Sequence, residues 1–234
     1  FIGPDPKVMD ALGDKIMAKE IAQKCNVPII ESNKNSLTSL KIALTEAESI
    51  GYPLMLKAAS GGGGRGMRVV RNSEELASNF DSARNESLNA FGDDTMFLEK
   101  YVENPKHIEV QIVADNHGNI RHLFERDCSV QRRHQKVVEI APSHNVAQEV
   151  KDNLYKYALA IANEVNYNNI GTVEFLIDEK DTIYFIEVNP RIQVEHTVTE
   201  MVTGIDLVKT QIFVASDYKL DSKQIKIYNQ DSLG

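Results

Sequence analysis

Residues 171–189 read GTVEFLIDEKDTIYFIEVN, two β-rich runs around a polar turn. Val, Ile, Phe and Thr dominate both runs, as expected of paired strands. A turn over Glu179–Thr182 sets Asp178 opposite Ile183 and Glu174 opposite Glu187. Asn189, two residues on, shares the face of Glu187, because side chains alternate along a strand. Two like charges facing each other among Val173, Phe175, Ile186 and Val188 are destabilising unless something neutralises them. Two carboxylates and an amide oxygen suit a hard divalent cation, with waters and phosphates completing its shell. The plainer reading is a solvated face with ordinary surface acids.

A second stretch has the same bearing. Residues 59–67 read ASGGGGRGM, between the apolar runs Leu54–Leu56 and Met67–Val70. Gly61, Gly63 and Gly66 match the dinucleotide pattern G-x-G-x-x-G, which requires a helix to begin at the loop. Here a β-branched run follows instead. The P-loop reading also fails, because Met67 stands where its lysine would be. What remains is a glycine flap on a hairpin, whose backbone N–H groups close over phosphate oxygens, with Lys57 and Arg65 beside it. A merely flexible loop is the alternative.

Around these two hairpins the chain alternates helix and strand. Asp14 and Lys15 open a helix that ends before Pro28, and Ser36 caps a second, closed by Gly51. Asn72 with Glu75 forms a capping box for a third, and Met96–Leu98 reads as a strand. From His107 a half-buried strand runs to the turn DNHGN and returns over Arg121–Cys128. A long helix covers 150–165. Thr197 and Glu200 form a capping box for the last helix, in which Leu207, Val208 and Ile212 make a core stripe. The class is α+β. Residues 29–101 form a small glycine-flap subdomain, set between an N-terminal helical segment, 1–28, and a larger subdomain, 102–234.

With 234 residues, 42% hydrophobic and 26% charged, the chain has the composition of a globular protein. Its net charge of −8 argues against nucleic acid, despite the basic run QRRHQK. No apolar run approaches the length of a membrane span. Two cysteines suggest no disulfide framework and fit a reducing compartment. Cys128 reads as a small buried hydrophobe. Starting at FIGPDP and ending at QDSLG, the sequence reads as a segment of a longer polypeptide.

The stretches KAASGGGGRGM, EKYVENPKHIEVQ, FERDCSVQRRHQKVVEIAPS and FIEVNPRIQVEHTVTEMVTGIDLVK resemble biotin carboxylase, the ATP-grasp component of biotin-dependent carboxylases. The likeness runs from Phe1 to about Leu220. Thr197 after His196 is most similar to the pyruvate carboxylase branch; the acetyl-CoA and propionyl-CoA branches more often have Pro there. The resemblance implies ATP-dependent carboxylation of biotin by bicarbonate through carboxyphosphate. Lys15, Lys57, Gly63 and Gly64 would bind phosphates, with Met67 at the end of the flap. Glu99, Lys100, Tyr101 and Val102 would frame adenine, and His107 the ribose, with Gln131 and His134 nearby. Glu174, Glu187 and Asn189 would hold Mg²⁺ or Mn²⁺. Lys136, Arg191 and the Val194 backbone would hold bicarbonate, and Glu195 would deprotonate it. Implied partners are a biotin carboxyl carrier domain and a carboxyltransferase domain in a homo-oligomer, without nucleic acid or membrane, in cytoplasm or mitochondrial matrix.

Overall fold

A computed structural model describes residues 1–33, 37–59, 67–132 and 135–222. In chain order the elements begin with α1 (Pro6–Gly13), α2 (Lys15–Lys24), α3 (Leu40–Ile50), β1 (Leu54–Ala58) and β2 (Met67–Val70). Next come α4 (Ser73–Phe91), β3 (Met96–Lys100), β4 (Lys106–Ala114), β5 (Ile120–Arg132) and β6 (Gln135–Ile140). The remainder are α5 (Gln148–Glu164), β7 (Asn169–Ile177), β8 (Ile183–Asn189), α6 (His196–Thr203) and α7 (Leu207–Ala215). The chain divides into two compact units, one of Phe1–Ile29, Asn104–Val130 and Lys136–Gly234, the other of Ile30–Glu103 and Gln131–Gln135. Among the described residues no helix is long and apolar enough to cross a membrane.

The smaller unit is an antiparallel sheet, β2-β1-β3, backed by α3 and α4. Leu54, Leu56, Val70, Leu76, Phe80 and Leu98 form its core. Asn72 caps α4 by accepting the Glu75 N–H at 2.8 Å, as the capping box anticipates. Gly51, at φ +82°, ends α3 in a conformation that side-chain-bearing residues avoid. The cap of α3 is Ser39, whose Oγ accepts from the Ile42 N–H, and the expected cap Ser36 lies outside the described residues. Because β2 follows the glycine block, the dinucleotide-fingerprint reading is excluded.

The larger unit is an antiparallel sheet in the order β6-β5-β4-β7-β8. One face is dry: Ile108, Val110 and Ile112 of β4 and Val173 and Phe175 of β7 pack with Leu12, Ala22, Leu154 and Ile161 from α1, α2 and α5. Asp14 accepts from the Ile16 and Met17 N–H groups and starts α2. The helix α1 went unread in the sequence. On the other face Val113, Leu123 and Ile170 pack beneath Leu207 and Val214 of α7.

Three sequence expectations need correction here. α6 starts after Glu195, with no side-chain cap, so Thr197 lies inside the helix rather than before it. Gly204 ends that helix, and Asp206 caps a separate one, α7. In α7 the buried positions are Leu207, Thr210, Gln211 and Val214, spaced at three and four residues. Val208 and Ile212 fall on the opposite side, each 46% exposed, and are not core.

Gly171 opens the β7 segment that faces the site. A Cβ there would lie 2.0 Å from the Tyr167 hydroxyl, which is buried and donates to the Ile170 carbonyl at 2.9 Å. Gly171→Ala is expected to cost about 1–3 kcal/mol through overpacking, measured as a lower urea midpoint at unchanged slope.

Candidate active site

The two faces of the larger sheet are separated by strand alternation, and two irregularities shift it. In the β7–β8 hairpin, Thr172 pairs Asn189 and Glu174 pairs Glu187, but nearer the turn Phe175 pairs Phe185 and Ile177 pairs Ile183. The register slips by one residue at Ile186, a β-bulge. Without it, alternation from Ile183 and Phe185 would send Glu187 into the dry core. With it, Val188 joins that core, and Glu187 and Asn189 share the face of Glu174. The expected pairing of the acids is correct. The expected partner of Ile183 is not Asp178 but Ile177, because the bulge absorbs the difference.

A second bulge lies in β5. Val110 pairs Glu125 and Ile112 pairs His122, so one β4 residue opposes Leu123 and Phe124 together. Phe124 takes φ +62°, a left-handed conformation that is strained for an aromatic residue. Its ring meets those of His122 and Tyr155 edge-on. Beyond the bulge, Arg126 stands beside Glu109 on the polar face.

At the centre of that face is Lys136. Its Nζ donates to Glu109 Oε2, to Glu174 Oε1 at 2.9 Å and to Glu195 Oε1 at 2.6 Å. His107 Nε2 lies 2.8 Å from Glu174 Oε2, and the Asn189 and Gln193 amides donate to Glu174 Oε1 at 2.9 and 3.0 Å. Burial alone would raise the Glu174 carboxyl, but His107 and Lys136 more than offset it and hold it well below the usual range. Burial lowers the Lys136 ammonium, yet Glu174 and Glu109 outweigh burial and push it above its ordinary value. Glu195 is likewise raised by burial and lowered further by Lys136, so it is a carboxylate at neutral pH.

Glu187 differs from its neighbours. It is half-buried opposite Glu174, and among the described residues its side chain makes no hydrogen bond or ion pair. His107, Glu109 and Glu174 also bring ligand atoms within 4.8 Å of one another. Glu109, however, is already bonded to Arg126 and Lys136. The uncompensated acid is therefore Glu187, with one edge of Glu174 and the amide of Asn189 beside it. A half-turn of that amide presents its oxygen. Oxygen donors of this kind fit Mg²⁺ or Mn²⁺.

The other expected residues are placed as follows. Arg191 is exposed; its guanidinium donates to Asn189 Oδ1 at 3.3 Å and to the Ile192 carbonyl at 3.2 Å, leaving further N–H groups for a ligand. Val194 is 91% exposed in the turn before Glu195. Lys15 is exposed at the first residue of α2. In the smaller unit Lys57 pairs with buried Glu99, and Lys100 donates to the Gly51 and Tyr52 carbonyls at 2.7 and 3.0 Å. Tyr101 donates its N–H to the Pro53 carbonyl, Val102 follows β3, Met67 begins β2, and Gln131 lies in β5. Gly63, Gly64 and His134 lie outside the described residues.

Glu109, Arg126 and Gln193 escaped the sequence reading. Their signal was present: a Glu amid the apolar run of β4 and an Arg inside a strand, both fully buried. Charged residues are almost never fully buried unless paired.

Comparison with known proteins gives a consistent result. The family model described as carbamoyl-phosphate synthase L chain, ATP binding domain, matches residues 14–223. Pyruvate carboxylase of Aspergillus terreus is 51% identical over 221 residues, covering 94% of this chain and 18% of that protein. The biotin carboxylase–βγ-ATP complex of Campylobacter jejuni superposes with TM-score 0.90 at 47% identity, over 96% of this chain and 50% of that one. The biotin carboxylase domain of Hydrogenobacter thermophilus 2-oxoglutarate carboxylase, crystallised with MgADP, ADP and bicarbonate, has TM-score 0.90 at 48% identity, over 97% and 51%. The chain thus spans about half of these solved chains and less than a fifth of the pyruvate carboxylase.

Proposed function

Because this chain belongs to the carbamoyl-phosphate synthase L chain ATP-binding family and has the ATP-grasp fold of biotin carboxylases, we propose that it carries the bicarbonate-activating site of a biotin-dependent carboxylase. The observation that carries the reading is Lys136, a cation shared by Glu109, Glu174 and Glu195 beside the facing pair Glu174–Glu187. Bicarbonate would take Lys136 as its counter-ion, joined by the Arg191 fork and the Val194 backbone. When Lys136 turns to the substrate, Glu195 becomes more basic and removes the bicarbonate proton. The freed oxygen attacks the γ-phosphorus as the bond to ADP breaks, giving carboxyphosphate. Its carboxyl group then passes to a biotin ureido nitrogen as the C–O bond to phosphate breaks, and the leaving phosphate takes the proton which that nitrogen gives up.

Glu174, Glu187 and Asn189 would hold Mg²⁺ or Mn²⁺, which when bound neutralises the phosphoryl oxygens. Phosphate contacts go to Lys15, Lys57, Gly63 and Gly64. Glu99–Val102 and Met67 serve the adenine side, and His107, Gln131 and His134 the ribose. Biotin comes on a carrier domain, and a carboxyltransferase domain of a homo-oligomer takes the carboxyl group from carboxybiotin and regenerates biotin. Pyruvate is the acceptor in this reading, on Thr197 after His196; the 48% identity to a 2-oxoglutarate carboxylase domain supports that keto acid as the second reading.

The test is ADP release on adding ATP, Mg²⁺, bicarbonate and free biotin in turn, with ¹³C-bicarbonate binding followed at saturating MgADP. Release that needs bicarbonate and rises with biotin supports the proposal. Release that proceeds without bicarbonate contradicts it.

A further inference from the structure

We propose that Arg126 is the positioning residue that sets the bicarbonate-activating groups, acting through Glu109 and Gln193 without touching substrate. The inference rests on the assignment of Lys136, Arg191 and Glu195 to bicarbonate. Arg126 is 0% exposed, in the middle of β5. Its guanidinium uses all three nitrogens. Nε donates to Glu109 Oε1 at 2.5 Å. Nη1 donates to Gln111 Oε1 at 2.8 Å and to Thr199 Oγ1 at 2.7 Å. Nη2 lies 3.4 Å from both Thr172 Oγ1 and Gln193 Oε1. One planar group therefore ties β4, β7, the turn before Glu195 and the helix after it.

These contacts have a direction. Arg126 takes one oxygen of Glu109, which leaves the other for Lys136. It takes the Gln193 oxygen, which leaves the Gln193 amide N–H for Glu174. It holds Thr199 in the first turns of α6, directly after Glu195. Both the cation and the base of the proposed site are thus placed by atoms that Arg126 fixes. A fork suits the place because the acceptors Glu109, Gln111, Thr199, Thr172 and Gln193 sit on several elements, and a compact ammonium lacks the fixed spread of donors that holds them together. The fold also accepts strain to aim this residue. Alternation from Leu123 would put Arg126 on the dry face with α5, and the left-handed Phe124 reverses that.

Arg126→Lys in this chain tests the assignment. The lysine keeps a positive charge against Glu109, so the chain is expected to fold with a thermal midpoint within a few degrees of the parent. Affinity for ¹³C-bicarbonate at saturating MgADP is expected to fall at least tenfold, while MgADP affinity changes less than threefold. Should Arg126→Lys fail to fold, the double variant Arg126→Gln, Glu109→Gln removes both buried charges together. It is expected to bind MgADP and to lose bicarbonate to the same extent. Bicarbonate affinity retained in a folded variant, or bicarbonate and MgADP weakened alike, would overturn the proposal. A parent chain that binds MgADP but not bicarbonate overturns the functional assignment itself, and this inference falls with it.

Discussion

Glu195→Gln is expected to lower bicarbonate-dependent ATP cleavage by about 10²–10⁴-fold, the range for loss of a positioned general base. The carboxylate is buried and bonded to Lys136, which keeps it ionised. Glutamine has the same shape and keeps an acceptor oxygen for Lys136, so the packing of the turn survives. What disappears is the ability to take a proton. MgATP affinity should stay within about threefold, because no contact to the acids on β7 and β8 is removed; a threefold change is under 1 kcal/mol. Steady-state ADP release with bicarbonate varied, beside MgATP binding by calorimetry, separates the two. Cleavage that survives in Glu195→Gln would remove the residue from the chemistry.

Lys136→Met is expected to destabilise the larger unit strongly. It deletes the cation shared by Glu109, Glu174 and Glu195 while keeping the length of the side chain. Glu109 retains Arg126, and Glu174 retains His107, but Glu195 makes no other ion pair among the described residues and sits 9% exposed beside them. Removing one partner of a buried ion pair costs about 3–5 kcal/mol, since the other charge stays buried without compensation. The Met67–Val70 strand and its sheet lie in the other unit, so their unfolding is expected to be unaffected. Urea unfolding followed by hydrogen exchange, which resolves the units, would show the loss confined to β4–β8. Bicarbonate binding should vanish in the same variant at denaturant concentrations where it is still folded.

How much of this was legible in the residues alone can be said from particular positions. Strands β1 and β2 were readable to the residue, because apolar runs stop at glycine and polar punctuation. The pairing of Glu174 with Glu187 was also legible, although for an incomplete reason. Strand alternation predicts faces only while the ladder is regular, and each hairpin that builds the site carries a bulge. Ile186 and Phe124 have nothing in their chemistry that announces an extra residue; the bulges follow from how the core residues around them pack. Hence the sequence pattern assigns no role to Arg126, whose face depends on Phe124. The α6 start was misread because Thr197 and Glu200 satisfy the capping-box spacing, while the turn from Asn189 to Glu195 fixes the helix start two residues earlier. Val208 and Ile212 show the limit of counting apolar residues: α7 buries the stripe that includes Thr210 and Gln211 instead. The resemblance to biotin carboxylases supplied roles for residues that no periodicity marks, Arg191 and Val194 above all.

The central claim is that Glu187, the acid left uncompensated opposite Glu174, holds a divalent cation with bound nucleotide. Calorimetric titration of ATP into this chain and into Glu187→Ala, with and without Mg²⁺, tests it most directly. The parent is expected to bind ATP at least about tenfold more tightly with Mg²⁺, a difference of about 1.4 kcal/mol, and Glu187→Ala is expected to lose that difference. An equal Mg²⁺ dependence in parent and variant would contradict the claim.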